Sequence, residues 1–181
     1  GKEKFSENEY VEIGMDHFAL KNDSLFKAAT NQKLHRNFMG YSHSKTQLMI
    51  GLGVSSISDS WYGFAQNVKS IDDYYFLLQN NKIPVIKGHL LTTEDLIIRK
   101  HILNLMCNQY TSWNNPEDYF EQINQTLLDL NEMKADQLIK IENNTLTITP
   151  NGKPFVRNVC MAFDLRLKRK KPETQLFSMT I

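Results

Sequence analysis

The period of the hydrophobic pattern changes near residue 91, and that change divides the chain. Downstream, Ile98, Ile102, Leu105 and Met106 recur three and four apart behind Thr92 and Thr93, which predicts a capped amphipathic helix. Pro116, with Glu117 and Asp118 next, is expected to open another helix with the stripe Phe120, Ile123, Leu127 and Leu130. Leu138-Ile139-Lys140-Ile141-Glu142 alternates like a strand, Asn143-Asn144 fits a tight turn, and Leu146-Thr147-Ile148 returns. Pro154 opens a last helix, with Phe155, Val159, Cys160 and Phe163 on one face. Residues 92–181 are therefore expected to form a mostly helical, winged-helix-like domain with a β-hairpin. The basic run at 166–171 reads as a solvated helix end, with a solvated tail after it.

Residues 1–91 mix strands, helices and glycine-rich loops. Tyr10-Val11-Glu12-Ile13-Gly14 reads as a strand, and Asn22-Asp23-Ser24 offers caps for a helix through Leu25, Phe26 and Ala29. Residues 35–44 are polar, aromatic and aperiodic, and read as a loop. Leu48-Met49-Ile50 is a second apolar run, followed by small residues that let a backbone approach closely. Ser70 caps a helix through Tyr74, Tyr75, Leu77 and Leu78, and Ile83-Pro84-Val85-Ile86 is extended. So few strands make a poor sheet. Further strands are expected upstream, and the exposed edges near Val11 and Met49 predict self-association.

Lys+Arg 21 against Asp+Glu 20 excludes the basic footprint of a general nucleic-acid binder. The candidate recognition helix, with Glu117, Asp118, Glu121 and Asp129, would also repel phosphates. The apolar run at 48–54 is too short and glycine-broken to span a bilayer, and residues 1–9 are charged with no signal-peptide core, so a cytoplasmic location is expected. Gly1 need not be the natural first residue. Cys107 and Cys160 form no CxxC pair, sit in apolar stretches and read as buried free thiols.

Chemistry concentrates in three places. Asp16-His17 follows the first strand and offers a carboxylate and an imidazole for acid–base work or for lining a pocket. His35-Arg36-Asn37-Phe38-Met39-Gly40-Tyr41 joins a guanidinium suited to carboxylates with two aromatics and a glycine. His35 and His43 lack a third metal ligand nearby. Gly51-Leu52-Gly53 falls short of a dinucleotide fingerprint, since Ser56 stands where a third glycine belongs. It remains a strand end whose backbone approaches a ligand.

Several strings together resemble one family. Ile13-Gly14-Met15-Asp16-His17-Phe18-Ala19 resembles its I-G-M-D-H-F-A, and Leu34-His35-Arg36-Asn37-Phe38-Met39-Gly40-Tyr41 its L-H-R-N-F-x-G-Y. Leu52-Gly53-Val54-Ser55-Ser56-Ile57-Ser58 resembles its G-x-G-V-S-A-I-S, and Tyr62-Gly63-Phe64-Ala65-Gln66-Asn67 resembles its Y-A-Q-N. Arg157-Asn158-Val159-Cys160-Met161-Ala162-Phe163-Asp164 resembles R-N-I-C-M-x-F-D. The family is that of the oxygen-independent coproporphyrinogen III oxidases, radical S-adenosylmethionine enzymes of haem synthesis. The resemblance implies an α/β (α+β) fragment. Residues 1–91 would be the C-terminal part of an incomplete TIM-like radical-SAM barrel with its extension, and residues 92–181 the helical domain that helps cover the active site.

It further implies a [4Fe–4S] cluster that reduces S-adenosylmethionine to a 5′-deoxyadenosyl radical. Two propionates of coproporphyrinogen III then lose CO2 and become vinyls, giving protoporphyrinogen IX, with an unidentified electron donor. The family's CxxxCxxC cluster motif is absent, so the chain reads as a truncation expected to be inactive alone. The family's S-adenosylmethionine contact falls on Ile57. A family glutamine near that cofactor is replaced by Met39, so no side-chain amide stands there. Arg36 and His35 are read, from charge, as meeting the substrate's propionates, and Asp16 as a third substrate-facing residue. The related haem chaperones, which bind and do not catalyse, carry H-N-x-x-Y-W in the equivalent loop. No Tyr-Trp stands here, which favours the oxidase over the chaperone. A winged-helix interaction module is a third reading, resting on residues 92–181 alone.

Overall fold

The computed structural model describes residues 1–169. Helix α1 (Lys2–Glu7) precedes a hairpin of β1 (Tyr10–Gly14) and β2 (His17–Leu20). In α2 (Ser24–Thr30) the Asp23 carboxylate caps by accepting from the Leu25 N–H at 2.6 Å. A second hairpin joins β3 (His35–Asn37) to β4 (Gly40–Ser42). β5 (Ile57–Asp59), β6 (Gly63–Asn67) and β7 (Val85–Leu90) make a three-stranded sheet, with α3 (Ile71–Gln79), capped by Ser70, between the last two strands.

Helix α4 (Thr93–Asn108) begins at a capping box: Thr92 Oγ1 accepts from the Asp95 N–H, and the Asp95 carboxylate accepts from the Thr92 N–H. Then come β8 (Tyr110–Ser112), α5 (Ile123–Asp129), α6 (Asn131–Ala135), β9 (Ile139–Glu142), β10 (Thr145–Ile148), α7 (Val156–Phe163) and α8 (Leu165–Arg169). The second three-stranded sheet has the order β8-β10-β9. Every strand pair among the described residues is antiparallel, so the fold is mixed α and β.

The core lies downstream of residue 91. α4 and α7 pack on each other and on the β8-β10-β9 sheet, burying Leu105, Ile123, Leu130, Ile139, Leu146, Val159 and Phe163 almost completely. This is the payoff of the three-and-four spacing: one stripe of α4 meets one stripe of α7. His101 sits inside, its ring nitrogens bonded to Thr111 Oγ1 at 2.7 Å and to the Asp118 carbonyl at 2.8 Å. Burial pushes the imidazole pKa down, so both bonds are made by the neutral ring.

Five expectations are corrected. Residues 35–44 are not an aperiodic loop, because their polar side chains conceal a hairpin held by backbone bonds. Asp16 and His17 do not simply trail β1: Asp16 is the left-handed turn residue, φ 59°, and His17 starts β2. Pro116 opens only a 3-10 turn (Pro116–Asp118) before the chain straightens at Tyr119, so the supposed single helix is that turn followed by α5 and α6. Pro154 lies within a 3-10 segment (Pro150–Phe155), and the last long helix starts at Val156.

The basic run is not merely solvated. Arg166 grips Asp95 with two bonds of 2.7 Å, Arg169 grips Glu94, and Lys168 reaches Asp129. The guanidinium of Arg166 holds the Asp95 carboxyl far below the usual carboxylate range. α8 therefore straps the start of α4 to the end of α5. Lys170, Lys171 and the tail lie outside the described residues.

Candidate functional site

The motif-bearing segments converge along one side of α4. The first two hairpins interlock through their glycines and rings. Gly14 lies against the Tyr41 ring so closely that a Cβ there would stand 2.4 Å from it. Gly40, at φ 119°, leaves room for the His17 ring, whose Nε2 would lie 2.7 Å from an added Cβ. The rings of His17 and Tyr41 meet edge-on at 5.0 Å, and His17 Nδ1 is bonded to the Met15 carbonyl at 2.8 Å. Tyr41 then donates its hydroxyl to the Met106 carbonyl at 3.1 Å, fastening both hairpins to α4.

The tip of the second hairpin reaches the β5-β6-β7 sheet. Phe38 packs edge-on against Phe64 of β6 at 5.1 Å, while Met39 beside it is 84% exposed. The sheet is tied to α4 by Arg99, which donates to the Asp59 carboxylate at 2.6 Å and to the Trp61 carbonyl at 2.9 Å. Both side chains of that pair are largely covered, so losing one partner strands a buried charge.

The loop before β5 has a distinct backbone. Met49 and Asp59 exchange both of their backbone bonds, at 2.8 and 2.9 Å. Strand alternation turns the N–H and C=O of Ile57 to the same side as those of Asp59, toward Gly51. A Cβ on Gly51 would lie 2.7 Å from the Ile57 oxygen. Yet Gly51 does not pair with Ile57: its N–H goes to Ser58 Oγ at 3.0 Å, and its carbonyl accepts from Asn67 Nδ2 at 3.2 Å. The same Asn67 amide also reaches the Gly53 carbonyl and Ser56 Oγ, and Gly53 N–H donates to the Tyr74 hydroxyl. Asn67 is thus a buried clamp that shapes the whole loop, and Gly51 packs directly on the Ile57 backbone, where no Cβ fits.

The five site residues read from the sequence do not share one cavity. Asp16 lines a cavity of about 370 Å³ with Tyr41, Lys153 and Arg157. His35 lines another, of about 650 Å³. Arg36 lies over the Tyr41 ring, its guanidinium carbon 4.6 Å from the centroid, and its Nη1 is buried with no acceptor among the described residues. Met39 and Ile57 belong to the hairpin tip and to the sheet on which that tip rests. Asn67 stood in a motif, but neither its role as a clamp nor that of Arg99 was legible, because each acts on partners well separated in the chain.

An iron–sulfur cluster does not fit the residues present. Burial pushes the Cys107 thiol up to about 11 and the Cys160 thiol up to about 12, far from the thiolate an iron ligand requires. No group of three or more His, Cys, Asp or Glu converges among the described residues. Likewise, no helix among them is long and apolar enough to cross a membrane.

No family model matches the sequence. Among curated proteins, oxygen-independent coproporphyrinogen III oxidase of Synechocystis is 35% identical over 185 residues, covering 97% of this chain and 40% of the relative. The protein of the same name from Escherichia coli is 35% identical, covering 95% and 38%, and that of Thermostichus vulcanus 35%, covering 95% and 55%. A solved structure of coproporphyrinogen III oxidase from Escherichia coli, described as a radical SAM enzyme, superimposes with a TM-score of 0.84 at 32% identity, over 91% of this chain and 39% of that one. The chain spans about two fifths of the length of the first of these relatives. By sequence and by fold, the chain is similar to a part of the proteins named oxygen-independent coproporphyrinogen III oxidase.

Proposed function

We propose that this chain serves in an oxygen-independent coproporphyrinogen III oxidase, which converts two propionates of coproporphyrinogen III to vinyls with loss of CO2, giving protoporphyrinogen IX for haem synthesis. The observation that carries this reading is the 35% identity over 97% of this chain with a protein of that name, and the residue we assign to its cofactor is Ile57, through the backbone N–H and C=O of a loop fastened by Asn67. A donor and an acceptor side by side suit a planar heterocycle with complementary groups, such as the adenine of S-adenosylmethionine. When bound, that cofactor supplies the radical that removes hydrogen from a propionate.

The chain's own residues hold and orient. Ile57 takes the heterocycle through its backbone, and Met39 offers a polarizable thioether at the hairpin tip in place of an amide. Arg36 has a buried Nη1 that a propionate carboxylate would satisfy. His35, whose pKa burial pushes down, contributes a neutral ring, and Asp16 flanks the neighbouring cavity. The cluster ligands and the electron donor belong to other parts and partners of the full protein. In this reading residues 1–91 are barrel and extension, residues 92–181 are a winged-helix-like cover, and the protein works in the cytoplasm.

The test is a chimera in which this chain replaces the matching two fifths of the Escherichia coli protein. It is reconstituted anaerobically with iron and sulfide and given S-adenosylmethionine, reductant and coproporphyrinogen III. Protoporphyrinogen IX and CO2 are the expected products, and Gly51→Val is expected to raise the KM for S-adenosylmethionine. A folded chimera that holds its cluster, binds haem and releases no CO2 would overturn the reading in favour of a chaperone.

A further inference from the structure

Arg99 of α4 joins two elements that lie apart in the chain. Its Nη2 donates to Asp59 Oδ2 at 2.6 Å and its Nη1 to the Trp61 carbonyl at 2.9 Å. Asp59 Oδ1 in turn accepts from the Trp61 N–H at 3.0 Å, in a turn where Trp61 takes φ 62°. The three residues close a ring of bonds at the end of β5, on the strand that begins with Ile57. A planar fork meets a carboxylate and a carbonyl at once and keeps its flat face free for stacking; an ammonium has no such face.

The same guanidinium lies on two rings. Its carbon stands 4.5 Å from the Trp61 centroid and 5.1 Å from that of Phe64. Phe64 is the register partner of Asp59 on β6, and it is the ring that receives Phe38 edge-on. Phe38 precedes Met39, whose N–H donates to Asn37 Oδ1 at 2.8 Å in the turn between β3 and β4. The hairpin tip therefore meets Arg99 through one intervening ring, while the Ile57 strand meets it through Asp59. The rest of that hairpin is held independently: Arg36 lies on Tyr41, whose hydroxyl reaches the Met106 carbonyl.

We infer that Arg99 is a positioning residue: it holds the hairpin tip that carries Met39 and the strand that carries Ile57 in one mutual register, so that the two meet the cofactor as a unit. The identity of that cofactor rests on the oxidase reading, whereas the coupling of the two segments rests on the contacts alone. Both side chains of the Asp59–Arg99 pair are largely covered. Arg99 thus acts through Asp59 and Phe64 and not on the ligand itself.

Two measurements test it, on the full chain and on the chimera with the Escherichia coli protein. Arg99→Lys keeps a charge beside Asp59 but loses the fork and the flat face. Phe64→Leu keeps the ion pair and removes the ring against which Phe38 packs. In the chain, hydrogen exchange is expected to quicken at residues 37–41 and 51–58 with Arg99→Lys, at 37–41 alone with Phe64→Leu, and in α7 with neither. In the chimera, Arg99→Lys should raise the KM for S-adenosylmethionine roughly tenfold, within the range for coupling through packed networks, and Phe64→Leu about threefold. The KM for coproporphyrinogen III and the iron content should stay at the parent's values, since Arg36 is held from Tyr41. A residue that merely stabilises the fold would lower the amount of active enzyme and leave both KM values alone. Exchange that Arg99→Lys leaves unchanged at either segment, or a KM for S-adenosylmethionine that it leaves unchanged, would overturn the positioning role. A parent chimera that releases no CO2 defeats the oxidase reading instead, and the exchange measurement still decides whether Arg99 couples the two segments.

Discussion

Residues 92–169 and residues 1–91 are stabilised by different means. The downstream region has a continuous apolar core, with Leu105, Leu146, Val159 and Phe163 fully covered. The upstream region has only scattered buried apolar side chains, Ala19, Ala28, Leu34 and Val68, and most of the exposed large hydrophobics among the described residues, including Ile83, Ile86 and Leu90 on and beside β7. It holds its shape through glycine–ring interlocks, the Asn67 clamp and anchors to α4. The contrast teaches that the core serves as a wall, and the motif-bearing loops are positioned against it by directional bonds.

The largest test of this contrast is Phe163→Ala. Removing a fully buried ring should cost about 3–5 kcal/mol, read by denaturant unfolding, and should loosen both regions because the wall itself fails. Arg99→Met comes next. It strands the covered Asp59 carboxylate and should cost about 3 kcal/mol, but hydrogen exchange should speed up in the β5-β6-β7 sheet far more than in α7. If both regions loosen equally, the division of labour is wrong. Tyr41→Phe removes one anchor, the hydroxyl bond to Met106, and should cost about 1 kcal/mol, with faster exchange confined to the first two hairpins.

Acid is the gentlest probe. Burial lowers the His101 pKa in the folded state, so the unfolded chain binds more protons. The associated stability is present above the ordinary value near 6.5 and is lost as pH falls below it. Unfolding midpoints measured between pH 7.5 and 5.5 should fall, and His101→Gln should flatten that fall. A wild-type curve as flat as the variant's would exclude this histidine as the acid-sensitive element of the core.

Legibility in the sequence followed the same division. α4 and the β9–β10 hairpin were readable because spacing and turn chemistry act locally. Asn143 and Asn144 both take the left-handed φ their turn requires. The β3–β4 hairpin was hidden because His35, Arg36 and Asn37 carry no alternating apolar signal. β8 spans three residues and exists only because β10 pairs with it. The strap of α8 looked like a solvated run because Asp95 and Glu94 lie some seventy positions away. Ile57 was singled out by its motif alone. The fastening of its loop was not legible, since that depends on where Ser58 and Asn67 direct the bonds of Gly51.

The interlock of the first two hairpins has a consequence for how such chains diverge. Position 14 is empty because position 41 is filled by a ring, and position 40 is empty because position 17 is. A side chain becomes admissible at 14 only in a lineage where the residue at 41 has already shrunk, and at 40 only where 17 has shrunk and the backbone has left φ 119°. The four positions are therefore inherited as two couples. Substituting both members of the 14/41 couple should do less damage than the two single changes added together.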